Sequence, residues 1–162
     1  MTRINLIKPQ YLLDQHLMAE YRELPMVNAS LRRSLDSPNW PTIKLPKQYT
    51  LNTGHVKFFY NKRVFLQERW HLLIAELLRR SFVIIPDQRN VDFSIFDEVP
   101  IDAVADAWKP TNKDIKININ RILLRVKEKP NWYKYKSKSI TYAWYKDRIL
   151  NKFDGVYNAN TR

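Results

Sequence analysis

Val64-Phe65-Leu66-Gln67-Glu68-Arg69-Trp70-His71-Leu72-Leu73-Ile74-Ala75-Glu76-Leu77-Leu78-Arg79-Arg80 sets Leu66, Trp70, Leu73 and Leu77 at alternating steps of four and three. Those steps are the period of an α-helix that buries one stripe, so the run predicts a central helix with these four side chains in the core. Working upstream, a first helix is expected from about Pro9, bent or interrupted at Pro25 before Val27 to Leu35 continues it. Between the two lies Ser37-Pro38-Asn39-Trp40-Pro41 to Pro46, too proline-rich for a helix interior and read as a loop. Downstream, Phe82-Val83-Ile84-Ile85 has strand composition but nothing to pair with, and is read as packed extended chain. A third helix opens after Pro110 with a capping pattern at Thr111 to Asp114 and buries Ile115, Ile119, Ile122 and Val126. Lys113, Lys116, Asn120 and Lys127 fall off that face, available to phosphates, and Pro130 ends the helix. The expected fold is mostly α: a compact single-domain bundle of about three main helices with long irregular connections. The domain is placed at 1–150, with a frayed, flexible tail over 151–162.

Composition narrows the chemistry. With 162 residues, one hydrophobic core of ordinary size is affordable. Cysteine is absent, which removes disulfides and thiolate metal sites. His16, His55 and His71 lack metal-ligand spacing, and two glycines cannot build a phosphate-cradling loop. No metal and no cofactor are therefore expected. No signal-peptide pattern and no apolar run of spanning length are present, so a cytoplasmic, soluble monomer without a membrane partner is expected.

Charge points to a polyanion. The formal net charge is +12. It is also uneven: Lys113 to Lys152 holds twelve Lys/Arg against three acids, whereas Asp87 to Asp106 holds six acids against Arg89. A basic face with an acidic reverse suits nucleic acid on one side, bound with strong salt dependence. Trp132, Tyr133, Tyr135, Tyr142, Trp144 and Tyr145 are interleaved with the basic residues, and aromatics so placed can stack on unpaired bases or wedge beside a kinked step.

The N-terminus, Met1-Thr2-Arg3-Ile4-Asn5-Leu6, supplies a nucleophile. A small residue behind Met1 favours its removal, leaving the α-amine of Thr2. An α-amine has a pKa of about 7.7–8 against about 10.4 for Lys, so it is unprotonated roughly a few hundred times more often at neutral pH. Arg3 and Arg22, if they converge on it, would lower its pKa further. Such an amine can form a Schiff base with a sugar aldehyde when a carboxylate stands by to move protons. Glu23 is the candidate. On a helix Leu12, His16, Ala19 and Glu23 share one face, with Gln15, Ala19 and Arg22 beside it, while Leu13, Leu17, Glu20 and Leu24 take another. Polar groups on a helix face are more often solvated surface than a site, and the stripe alone does not decide between the two.

Four blocks carry a family resemblance: Met1 to Leu6, Asp14 to Pro25, Gly54-His55-Val56-Lys57-Phe58-Phe59-Tyr60-Asn61-Lys62, and Asn131-Trp132-Tyr133-Lys134-Tyr135. In order and spacing they resemble the pyrimidine-dimer DNA glycosylase/AP lyase family. The resemblance implies that the Thr2 amine attacks the anomeric carbon of the damaged nucleotide, that Glu23 is essential to the chemistry, and that a base opposite the lesion is expelled. It implies contacts to DNA from Arg3, Gln15, His16 and Arg22 around the lesion, and from the aromatic-basic segment Trp132, Tyr133, Lys134 and Tyr135, with Lys127 added from the charge pattern. The substrate is then double-stranded DNA with damaged bases or abasic sites. Two positions depart from the family. Met26 stands where the family has a phosphate-holding arginine, and a thioether cannot take that role. Lys136-Ser137 replaces an aromatic-glycine pair. Two rival readings stay open: the same lyase chemistry on another damaged or modified base, and a non-catalytic DNA-binding protein, which the presence of both Thr2 and Glu23 argues against.

Overall fold

Asp14–Glu23 contains no β-branched residue and many strong helix formers, and it folds as α1. In this computed structural model, residues 4–85, 91–99 and 108–158 are described. The helix expected from Pro9 begins later. Pro9–Tyr11 is a single 3-10 turn, and Leu12 is extended at ψ 147°. Leu12 and Leu13 are both fully buried. Pro25 interrupts the helix as expected, and α2 (Pro25–Leu35) restarts with Pro25 in its first turn.

The remaining helices among the described residues are α3 (His55–Phe58), α4 (Arg63–Arg79), α5 (Asn112–Glu128), α6 (Tyr142–Lys152) and α7 (Asp154–Asn158). A two-stranded antiparallel hairpin, β1 (Lys134–Tyr135) with β2 (Lys138–Ser139), precedes α6. The architecture is mostly helical, as expected, with seven α-helices and one small hairpin among the described residues. Residues 82–85 join no strand among the described residues, and Phe82 N–H returns to Leu77 O at 3.0 Å. They are not packed throughout, since Val83 is 93% exposed.

The chain divides into two compact units, one of Met1–Ile4 with Ala19–Lys109 and one of Asn5–Met18 with Pro110–Arg162. In the first, Leu66, Trp70, Leu73 and Leu77 of α4 are all buried, as their spacing predicts. Trp70 stacks on Tyr21, with centroids 5.2 Å apart and planes 7° from parallel. Beside them the Arg69 guanidinium grips both oxygens of Glu20 at 2.8 Å, with neither side chain more than 4% exposed. Ser30 and Ser34 of α2 hydrogen-bond the Tyr60 hydroxyl. Phe58, Phe59, Phe65 and Trp108 pack mostly edge to face. A 3-10 helix, Phe93–Glu98, is tied to α2 by Arg32–Glu98 and to α4 by Arg63–Asp97. Three of the six acids of the acidic segment are thus described: Asp97 and Glu98 neutralise arginines of this unit, while the Asp92 side chain caps the 3-10 helix at Ser94 N–H. Asp87, Asp102 and Asp106 lie outside the described residues.

In the second unit α5 starts with the expected reciprocal cap. Thr111 Oγ1 accepts from Asp114 N–H at 3.2 Å and Asp114 accepts from Thr111 N–H at 3.0 Å. Ile119, Ile122 and Val126 are buried, Ile115 half-buried, and the fully buried Asn118 bonds Leu6 N–H and Asn5. Residues 159–162 of the expected tail lie outside the described residues, while Asp154–Asn158, beyond Lys152, forms α7. Its Tyr157 hydroxyl donates to Asn120 and its ring sits 5.1 Å from the Lys116 ammonium. Asn120 and Lys116, expected to serve phosphates, therefore hold α7 on α5.

Candidate active site and nucleic-acid surface

Thr2 and Arg3 lie outside the described residues, so the site is built from Ile4 onward. Ile4 is fully buried. Its N–H donates to His55 Nε2 at 3.0 Å and its carbonyl accepts from the Tyr49 hydroxyl at 3.3 Å. On α1, in the same unit, Arg22 is exposed and Glu23 half-buried, whereas Glu20 is sealed against Arg69. Met26, in the first turn of α2, is 50% exposed.

The start of α1 serves the second unit. Gln15 Nε2 donates to Trp132 O at 2.8 Å and its Oε1 accepts from Lys134 N–H at 2.9 Å, so both ends of this amide hold the segment that leads into the hairpin. His16 is buried, its ring 4.7 Å from that of Tyr133. Asp14 accepts from the N–H groups of Lys136 at 3.1 Å and Ser137 at 2.7 Å. Those two residues form the hairpin turn at φ 50° and 66°, left-handed conformations that favour glycine or asparagine. The carboxylate aimed at both N–H groups lets Lys and Ser stand there.

The aromatic-basic segment splits by burial. Trp132 is 59% exposed, with the Lys129 ammonium 5.8 Å from its ring, and Lys134 and Lys127 are exposed. Tyr133 is buried. The half-buried Tyr135 donates to Gln10 O and accepts from Arg148, whose guanidinium lies 4.7 Å over its ring. Tyr145, grouped by sequence with the DNA-facing aromatics, is fully buried, its hydroxyl donating to Tyr11 O at 2.9 Å. Trp144, by contrast, stays exposed at the edge of an open cleft of about 530 Å³ lined by Tyr11, Asp147, Arg148, Asn151 and Lys152. Burial opposes ionisation of the Tyr11 hydroxyl, but hydrogen bonding and charge from Lys152 outweigh it and lower its pKa from the usual value.

Sequence reasoning missed three residues here. Arg148 entered only as one charge among twelve, and Asp14 and His55 only as members of the resemblance blocks, with no role given to either. Long-range hydrogen-bond partners have no local signature, so no periodicity points to any of these three. Among the described residues no group of three His, Asp or Glu side chains is placed to hold a metal, and no helix is long and apolar enough to cross a membrane. The span from the N-terminus through α4 contains Thr2, Arg3, Arg22, Glu23 and the His55 segment. The sequence model of one family, described as pyrimidine dimer DNA glycosylase, matches residues 1–90, which include all of them. That span exceeds half of the chain, and this protein belongs to the pyrimidine dimer DNA glycosylase family, whose substrate is damaged DNA.

Proposed function

We propose that the chain removes UV-induced cyclobutane pyrimidine dimers with the α-amine of Thr2 and then nicks the strand as an AP lyase. The amine nitrogen bonds to C1′ as the glycosidic C–N bond breaks, and the base leaves with that electron pair. Opening of the sugar ring, with a proton going to the ring oxygen, leaves a protonated imine between Thr2 and C1′. The imine is the electron sink: loss of the C2′ proton sends electrons toward it, and the C3′–O bond breaks with the phosphate as leaving group. Glu23 takes that proton and stabilises the cationic intermediate, while Arg3 and Arg22 hold flanking phosphates. A nucleotide must leave the stack for the amine to reach C1′. Trp132, Lys134 and Lys127 are the exposed groups that meet DNA in the second unit.

The observation that supports this reading is the division of labour along α1. Glu20 is buried against Arg69, whereas Glu23, next to the exposed Arg22, is half-buried in the part of the chain that matches the family. Intact-mass analysis is expected to show a chain starting at Thr2. Borohydride added during reaction with an abasic duplex should give a covalent protein–DNA adduct, and an N-terminal tag should suppress it. Equal trapping with a blocked N-terminus would assign the nucleophile to a lysine instead. The exposed Met26, without a cation for phosphate, favours a second reading in which the same chemistry acts on another base. Side-by-side cleavage of duplexes carrying a cyclobutane dimer, an abasic site or no damage separates the two.

A further inference from the structure

We propose that His55 is a positioning residue for the Thr2 amine, acting through the backbone of Ile4; this rests on Thr2 being the nucleophile. Thr50 O, 2.6 Å from His55 Nδ1, can only accept, so Nδ1 carries the proton and Nε2 is left as an acceptor. An acceptor is what the Ile4 N–H at 3.0 Å requires. The neutral imidazole thus bridges Thr50 and Ile4, with the bond to Ile4 buried and that to Thr50 part-buried. Tyr49 completes the grip from the carbonyl side of Ile4, and its ring meets His55 edge-on at 5.5 Å.

Gly54 precedes His55 at φ 95°, and a Cβ there would meet Pro46 Cγ at 3.0 Å. Two residues of chain span at most about 7 Å, so the point fixed at Ile4 N bounds where the Thr2 amine can go. An imine-forming nitrogen is sensitive to such placement. Displacement by about 1 Å from a change away from the chemistry can cost about 100-fold in rate.

The test uses the full chain with its N-terminus verified by mass, single-turnover borohydride trapping on an abasic duplex, affinity for the same duplex, and thermal unfolding. His55→Phe keeps an aromatic ring but has no acceptor, and is expected to slow trapping by about 10- to 100-fold while duplex affinity holds. His55→Gln, whose Oε1 can accept from Ile4 N–H, should recover most of the rate. Wild-type trapping by a folded His55→Phe overturns the inference. So does an equal loss in His55→Phe and His55→Gln that tracks a loss of affinity, which marks a structural role alone. Should His55→Phe not fold, Tyr49→Phe carries the test: it removes one hydroxyl from Ile4 O and should slow trapping with affinity unchanged, and an unaltered rate overturns the inference. If wild-type protein with a blocked N-terminus still traps, the Thr2 reading itself fails. Dependence on a free Thr2 together with a wild-type rate in His55→Phe sinks only the positioning role.

Discussion

Two glutamates three residues apart on α1 do unlike work. Glu20 lies under α4 in a two-point ion pair with Arg69, and removing its charge strands a buried guanidinium. Glu20→Gln is therefore expected to destabilise the fold by about 3–5 kcal/mol, read from urea unfolding. Glu23→Gln should lower strand cleavage by about 100- to 10,000-fold, the usual loss with an acid/base group. Binding to damaged duplex should hold or tighten, because a negative charge near phosphates is gone. Near-wild-type cleavage by Glu23→Gln would move the proton-transfer role elsewhere. The burial of Glu20 was legible, since it shares a face with Leu13, Leu17 and Leu24. Its partner was not, because Arg69 is brought to it by the packing of α4.

At the scale of elements, the hairpin shows how α1 shapes the surface of the second unit. Left-handed backbone costs a non-glycine residue about 1–2 kcal/mol, and a hydrogen bond to a charged group contributes about 1.5–3 kcal/mol. The two Asp14 contacts thus offset the strain at Lys136 and Ser137. Asp14→Ala should speed hydrogen exchange at the 136 and 137 amides and lower the melting temperature. Adding Lys136→Asn with Ser137→Gly should restore the turn, and unchanged exchange in Asp14→Ala would show that the turn holds without the carboxylate. The helices α4 and α5 were readable from periodicity and capping. The stretch that forms α6 was read for its aromatic and basic content, yet Thr141 caps it at Trp144 N–H and Tyr145 and Ile149 form its buried stripe. Four residues separate those two side chains, a helical step hidden among residues read for stacking.

Over the whole molecule, the +12 charge dictates how affinity responds to salt. Each phosphate contact steepens the fall of log affinity with log salt by about 0.9. Lys134→Ala is expected to flatten that slope by one such step and to weaken damaged and undamaged duplexes alike. Met26→Arg, at a position already half exposed, should steepen it and bind more tightly at low salt. An unchanged slope for Met26→Arg would route the DNA away from the first turn of α2.

Helix content, the break at Pro25, the reciprocal cap of α5, the buried stripe of α4 and the family were all written in the linear chain. Each depends on residues within a few positions of one another, or on short blocks recognisable in order. Which polar residues are consumed internally was decided by tertiary structure alone. Gln15 and His16 spend contacts on the Trp132–Lys134 segment, Asn120 on Tyr157, Glu20 on Arg69, and His55 on the backbone of Ile4. Such a side chain looks the same in sequence whether it faces solvent or a partner dozens of residues away. Only the packing of elements removes water from it and chooses that partner.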